Sequence, residues 1–417
     1  MSRLIVEGGN PLVGEQLVQG AKNSALPVLT STILCDSPSM IHNCPNLSDV
    51  DASCRILSCL GCKVTRDDHS VFVDPSGIQG HDIPDDLMRE MRSSIVFLGA
   101  ICARMGSAHI SFPGGCELGP RPIDLHLTAL RKLGIQIKED HGWLNCRVIG
   151  KLHGANIVLS FPSVGATENI MLAACTAEGD TVIVNAAREP EISDLADFLN
   201  QCGAKVSGAG ESVITIRGVQ SLTGREHRVI PDRIVAATLM AAAAITGGEI
   251  TLRNVNPLHL SPVVPVFAEA GCVINEYSDT MVIKRSGPLR PVKYVRTMPY
   301  PGFPTDAQAP VMAMSAIAAG TSMFIENIFE NRYKHAAELT RLGAKINVEG
   351  KVAVVEGVRR LLGAPVEATD LRGGAALVVA ALAAEGTTQI SGIKHIDRGY
   401  ENIEGVLSEI GAAIRRE

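Results

Sequence analysis

Apolar and polar positions alternate along this chain in a pattern that returns six times. The segments "LSCLGCKV" (57–64), "LRKLGIQI" (130–137), "FLNQCGAKV" (198–206), "FAEAGCVI" (267–274), "LTRLGAKI" (339–346) and "LSEIGAAI" (407–414) share one layout. Each predicts an amphipathic helix stopped by a glycine, followed by a strand with period-two alternation. The glycines stand at 61, 134, 203, 271, 343 and 411, with spacings of 73, 69, 68, 72 and 68 residues. A second signature lies 23 to 28 residues before each: an alanine-rich helix, a stop, then a strand. It reads "CARMGSAHISF", "CTAEGDTVIVN", "AITGGEITLRN", "AIAAGTSMFIE" and "LAAEGTTQISG"; in the first copy, "TILCDSPSMIH", Asp and Ser replace the glycine. The repeating unit of about 70 residues is therefore helix–strand–helix–strand, with extra short strands around turns such as "SGAGES" (207–212). That "GAG" is a hairpin turn here, because no strand–turn–helix surrounds it as a dinucleotide site requires. "IVAATLMAAAAITG" (234–247) is apolar on every side, which predicts a helix buried inside a domain.

Six α/β units could form a ring, a solenoid or two globules of three. A length of 417 residues favours two globules, dividing near "HRVIPDR" (227–233), with the cleft between them as the default ligand site. Aromatic residues make up only 4% of the chain, so the cores must be built from Ala, Val, Leu and Ile. A net charge of −6 with well-mixed signs argues against nucleic acid or an anionic membrane as partner. An anionic substrate would have to be drawn in by a local cluster of Lys and Arg. The N-terminal "MSRLIVEGGN" has no signal-peptide core, and no apolar run reaches spanning length. Eleven cysteines, an odd number, then predict free thiols in a reducing cytoplasm. "CLGC" (59–62) lacks the second pair a zinc site needs and is expected to pack as small hydrophobes.

Four features depart from the repeat and carry charge beside Gly or Pro turns or at helix starts: "GAKNSALP" (20–27), "PGGCELGPRPIDLH" (113–126), "FPTDAQAP" (303–310), and "DLRGG" (370–374) with "HIDRGYE" (395–401). Taken singly, most have a plain reading. Lys22 could be a solvated lysine, Asp306 and Asp370 could cap helices, and Arg398 could pair with Asp397 or Glu401. Cys116 resists such a reading, since three glycines and three prolines between 113 and 122 exclude regular structure around it. With Arg121 nearby, such a thiol has a tunable pKa and could serve as a nucleophile, a redox sensor or a general acid.

The motifs "GAKNSALP", "MRSSIVFLGA", "FPGGCELGPRPIDLHLTALRKLG", "SVGATENIML", "NAAREPEISDLADFL", "PYPGFPTDAQAP", "FENRYKHAAELTRLGAKI", "DLRGGAALV" and "HIDRGYENIEGVL" together resemble the UDP-N-acetylglucosamine enolpyruvyl transferase family, in order over about residues 1–415. The PGGC loop separates that family from its nearest relative, 5-enolpyruvylshikimate-3-phosphate (EPSP) synthase. The resemblance implies an inside-out α/β barrel, EPSP synthase-like, with two similar domains of three units each. One domain would be 1–21 plus 230–417. The other would be 22–229, carrying the cysteine loop 112–122.

The implied reaction moves the enolpyruvyl group of phosphoenolpyruvate to the 3′-hydroxyl of UDP-N-acetylglucosamine, opening peptidoglycan synthesis with no metal or organic cofactor. By position, Cys116 matches the general acid that also forms a covalent adduct and meets the antibiotic fosfomycin. Asp306 matches the general base, and Asp370 a carboxylate near the cysteine. Lys22, Asn23, Arg121, Arg332, Arg372 and Arg398 match phosphoenolpyruvate contacts. Asn23, Arg92, Arg121, Pro122, Ile123, Asp124, Leu125, Ser163, Val164, Gly165, Asp306 and Ile328 match sugar-nucleotide contacts. The chain departs from the family at "DRIVAAT" (232–238), which lacks an acid and a glycine, and at Phe161, where some members carry Lys.

Overall fold

The computed structural model describes residues 2–114 and 123–417. The chain divides into two compact units, one built from residues 20–114 and 123–230, the other from residues 2–19 and 231–417. Each has its own hydrophobic core. In the first unit the helices that concern the site are α1 (Lys22–Ser31), α2 (Phe97–Met105), α3 (Asp124–Lys132), α4 (Val164–Ala174) and α5 (Pro190–Gln201). In the second they are α6 (Arg233–Thr246), α7 (Thr305–Ser315), α8 (Lys334–Arg341) and α9 (Leu371–Ala383). Helices α6, α7 and α9 pack against one another, and α2 packs on α1 and α4. The uniformly apolar stretch near 240 is α6, buried from Ile234 to Ile245, and its alanines let neighbouring helices approach closely.

The six glycines of the repeat all adopt left-handed backbone, with φ between +94° and +105°. Only glycine reaches that region without strain, so the periodic Gly is the mark of six identical helix-to-strand turns. Each unit carries three four-stranded sheets of one pattern, in which a parallel edge strand is followed by three antiparallel ones. Strand Ser39–His42 pairs with Ser70–Asp74, and that with Lys63–Asp67.

The edge strand of each sheet comes from a neighbouring repeat. Asp82–Ile83, after the first repeat, joins the second sheet, and Asn156–Val158, after the second, joins the third. Glu226–Arg228, after the third, returns to the first. The exchange is cyclic. In the other unit, Tyr294–Arg296 and Pro365–Glu367 pass forward in the same way. There the cycle closes through the N-terminal segment. Leu4–Glu7 sits between Thr387–Ser391 and Ala413–Arg416, and Val13–Leu17 then pairs with Glu249–Arg253. Four of the six junctions carry an asparagine whose amide donates to the carbonyl just beyond the borrowed strand: Asn43 to Val229, Asn185 to Leu159 and Asn254 to Val18, each at 2.8 Å, and Asn327 to Thr297 at 3.1 Å.

The "SGAGES" turn joins antiparallel strands Lys205–Ser207 and Val213–Arg217, as a hairpin. The paired-packing expectation for "CLGC" is half corrected: Cys62 is buried, but Cys59 lies exposed on the outer face of its helix. No described helix is long and apolar enough to cross a membrane.

Candidate active site

In both units several of the charged residues singled out in the sequence, Lys22, Asp124, Asp306 and Arg372 among them, lie in the first turn of a helix, where unpaired N–H groups and the helix dipole favour anions. In the first unit, α1 begins with Lys22 and Asn23. Lys22 is buried, not solvated, and its ammonium lies 3.2 Å from the Asp49 carboxylate. Beside it, Ser24 donates to Asp194, whose other oxygen lies 3.0 Å from His227 Nε2, all three side chains being buried. The carboxylate sits between hydroxyl and imidazole, so this group is a clamp that fixes the start of α1 against α5, and not a nucleophile relay. Arg92 opens a 3-10 turn (Arg92–Val96) and donates to the Pro113 carbonyl at 3.2 Å. Ile123 precedes α3, Asp124 is its exposed first residue, and Leu125 is half-buried. Ser163 caps α4, its hydroxyl accepting from the Ala166 N–H at 3.3 Å, with Val164 and Gly165 in the first turn. Phe161, just before this turn, is exposed.

The second unit gathers its charges more tightly. Asp306 is the second residue of α7, and Pro304 stands at the cap position, so Asp306 is not the cap. Its two oxygens take Arg332 Nη2 at 2.6 Å and Arg372 Nη2 at 3.2 Å. Both guanidinium groups are almost wholly buried. Arg332 also donates to the Thr305 carbonyl at 3.1 Å. Burial works against the Arg372 charge, but Tyr400, Asp306 and Asp232 outweigh it and leave the guanidinium pKa raised. Tyr400 holds the second arm of Arg372 at 3.1 Å and meets Thr238 at 2.9 Å.

Asp370 is the helix cap anticipated for it: one carboxylate oxygen accepts from the Arg372 and Gly373 N–H groups at 3.1 and 2.9 Å. The other is buried with no hydrogen-bond partner among the described residues. His335, in α8, lies beside it; burial pulls the imidazole down to about 4, so it is neutral. Arg398 ends the 3-10 turn Ile393–Arg398, half-buried, and Asp397 is occupied instead by both arms of Arg416. Ile328 is placed by Glu326, a buried acid that accepts the Ile328 and Phe329 N–H groups at 2.8 and 3.1 Å and the Thr305 hydroxyl at 3.0 Å.

A family model described as EPSP synthase (3-phosphoshikimate 1-carboxyvinyltransferase) matches residues 6–407. The chain belongs to the EPSP synthase family. It is 51% identical over 416 residues to a UDP-N-acetylglucosamine 1-carboxyvinyltransferase 2 of Caldanaerobacter subterraneus subsp. tengcongensis, covering all of both chains. It is 49% identical over 420 residues to a UDP-N-acetylglucosamine 1-carboxyvinyltransferase of Nitratidesulfovibrio vulgaris, again at full coverage. Among solved structures, the enolpyruvyl transferase NikO of Streptomyces tendae superposes with a TM-score of 0.91 at 25% identity, covering 100% of this chain and 98% of that one. EPSP synthase of Acinetobacter baumannii, at 18% identity and a TM-score of 0.78, shares the fold over the full length of both chains.

Of the residues expected at the site, Asp306, Arg332, Arg372 and Asp370 stand together in one unit, with Arg398 and Ile328 on neighbouring turns. Lys22, Asn23, Arg92, Ile123 to Leu125 and Ser163 to Gly165 stand in the other. Cys116, Arg121 and Pro122 lie outside the described residues. No cluster of His, Cys, Asp or Glu suited to a metal ion occurs among the described residues. Sequence reasoning missed Glu326, His335, Tyr400, and the Ser24–Asp194–His227 clamp. For Glu326 a signal existed: an acid flanked by apolar neighbours in "MFIENIF" predicts a buried, hydrogen-bonded carboxylate.

Proposed function

We infer that this chain is an enolpyruvyl transferase that attaches the enolpyruvyl group of phosphoenolpyruvate to the 3′-hydroxyl of UDP-N-acetylglucosamine and releases phosphate. The observation that carries this reading is full-length identity near one half to enzymes of that name. The same likeness supports a role at the start of peptidoglycan synthesis and a cytoplasmic setting. The finer architecture follows the family: an inside-out α/β barrel of two domains, 1–21 with 230–417 and 22–229, with the alanine-rich helices inside and the sheets outward.

The chemistry accounts for the residue types. Phosphoenolpyruvate bears a phosphate and a carboxylate, which fixed cations bind and guanidinium groups grip in bidentate fashion. Lys22, Arg121 and Arg398 take the phosphate, and Arg332 and Arg372 the carboxylate end, with Asn23 alongside. Cys116 delivers a proton to C3 of the enol, which makes C2 electrophilic. The 3′-oxygen of the sugar attacks C2 as Asp306 takes its proton. The resulting tetrahedral adduct loses a proton from C3 while the C2–O bond to phosphate breaks, which restores the double bond. Asp370, one of whose oxygens is buried with no hydrogen-bond partner among the described residues, serves as a carboxylate near the cysteine at this step. Arg92, Ile123, Asp124, Leu125, Ile328 and the Ser163–Gly165 turn orient the sugar nucleotide.

Phosphate release with both substrates present tests the reading, with shikimate 3-phosphate offered as a competing acceptor. Release that depends on UDP-N-acetylglucosamine is expected. A folded protein that releases none, or prefers the shikimate, overturns it.

A further inference from the structure

His126 is buried on α3, 7% exposed, and takes no part in the proton transfers of the reaction. Its protonation can be read from its neighbours. Asn169 accepts the Gly99 N–H through Oδ1 at 2.6 Å and donates to the Ile95 carbonyl through Nδ2 at 2.9 Å, which fixes which end of the amide is which. The same Nδ2 lies 3.1 Å from His126 Nδ1. An amide NH₂ can only donate, so Nδ1 is an acceptor and the imidazole proton sits on Nε2.

That Nε2–H has no hydrogen-bond partner among the described residues. Its edge of the ring lies against the first turn of α4: a Cβ placed on Gly165 would meet His126 Cε1 at 3.1 Å and Nε2 at 3.4 Å. A side chain at 165 would have to push the ring back by a few tenths of an ångström. The Val164 and Gly165 N–H groups of that turn have no acceptor among the described residues, as expected at a helix start. The Nε2 edge of a buried imidazole thus borders the helix start at Gly165, whose own N–H is a donor.

We propose that His126 is a binding residue for the sugar nucleotide, donating its Nε2 proton to an oxygen of the diphosphate that the N-terminus of α4 also holds. The proposal rests on the transferase reading and adds a donor that is neutral. Arg92 is the charged group that acts on the ring, while α4 brings the Asn169 amide and Gly165 against it. Burial, with Arg92 adding to it, pulls the imidazole down to about 3. A fixed neutral donor orients the diphosphate without adding charge to be desolvated, and leaves charge neutralisation to the arginines.

The test compares His126→Gln, which keeps an N–H at a similar reach, with His126→Phe, which does not. In His126→Phe the KM for UDP-N-acetylglucosamine should rise about 10- to 100-fold, the loss expected for a hydrogen bond to a charged group. The KM for phosphoenolpyruvate and kcat should change little. UDP should bind more weakly by the same factor while uridine is unaffected, and His126→Gln should recover most of the loss. For the unaltered protein, the KM for UDP-N-acetylglucosamine should stay flat from pH 5.5 to 8, because the imidazole does not titrate there. The proposal fails if that KM climbs through about pH 6.5 and His126→Gln abolishes the climb, which would mean a cationic contact. It also fails if uridine weakens as much as UDP, or if neither variant changes KM. Failure of the unaltered protein to bind UDP at all would instead sink the transferase reading.

Discussion

Asp306 shows how much one residue can carry. Two buried guanidinium groups converge on its carboxylate, so it is at once a candidate base and the counter-ion that makes their burial tolerable. Asp306→Asn should therefore act twice. Turnover should fall about 10²- to 10⁴-fold, the usual worth of a positioned base. Stability should fall too, by about 3 kcal/mol, because a neutral amide leaves two buried cations short of charge. Phosphate release at 20 °C, with circular dichroism confirming that the variant is folded there, separates the effects; normal release with a lowered Tm would remove Asp306 from the chemistry. Cys116 offers the complementary test. Cys116→Ser should reduce turnover at least 100-fold, because a hydroxyl is far too weak an acid, whereas Cys116→Asp should keep turnover and escape fosfomycin. Asp306 and Cys116 both stand in segments that depart from the repeat, but the residues alone left Asp306 a plain helix cap and Cys116 open between nucleophile, redox sensor and acid; the resemblance supplied the roles. Glu326, His335 and Tyr400 were not legible, because they sit within ordinary helix and strand composition and acquire meaning only from what folds against them.

At the scale of elements, the glycine-stopped helices were legible because six copies face the same steric demand. What the pattern hid was polar burial inside the apolar helices. Glu168 lies in the second turn of α4, 5% exposed, and burial together with Glu191 and Glu189 pushes its carboxyl up to about 8. Its folded pKa is thus raised above the ordinary 4.5. Below pH 4.5 both folded and unfolded chains hold the proton, and between there and pH 8 only the folded chain keeps it. The unfolded state binds fewer protons in that window, so stability drops as pH rises through it. Glu168→Gln supplies a permanently neutral side chain of the same shape. Its Tm should match that of the unaltered protein near pH 5 and exceed it by about 2–4 °C near pH 8.5. Thermal melts at the two pH values decide this, and a gap that is equal at both would mean Glu168 does not titrate in the core.

Across the whole molecule, the borrowed edge strands explain why the chain needs three repeats to complete a unit and why one unit is discontinuous. A repeat alone leaves one sheet short of an edge and projects a strand with nothing to pair with. Three repeats complete every sheet, and little in the residue pattern marks this: Asp82–Ile83 is two residues long, too short for any periodicity to show. The unit built on α6, α7 and α9 takes the middle strand of one sheet and the edge of another from residues 4–17. Residues 231–417 expressed alone should therefore fail to fold, while residues 20–230, whose cycle is complete, should fold and melt cooperatively. The geometry also provides a rescue. Arg3 and Glu417 face each other as an antiparallel pair, joined by backbone bonds of 2.7 and 2.9 Å. A turn of about four residues can bridge such strand ends. Residues 231–417 followed by a short Asn-Gly turn and residues 2–19 should regain a cooperative melt and the amide protection of Leu4–Glu7. If residues 231–417 fold equally well without that segment, the cyclic exchange is an ornament of the fold and not its organising constraint.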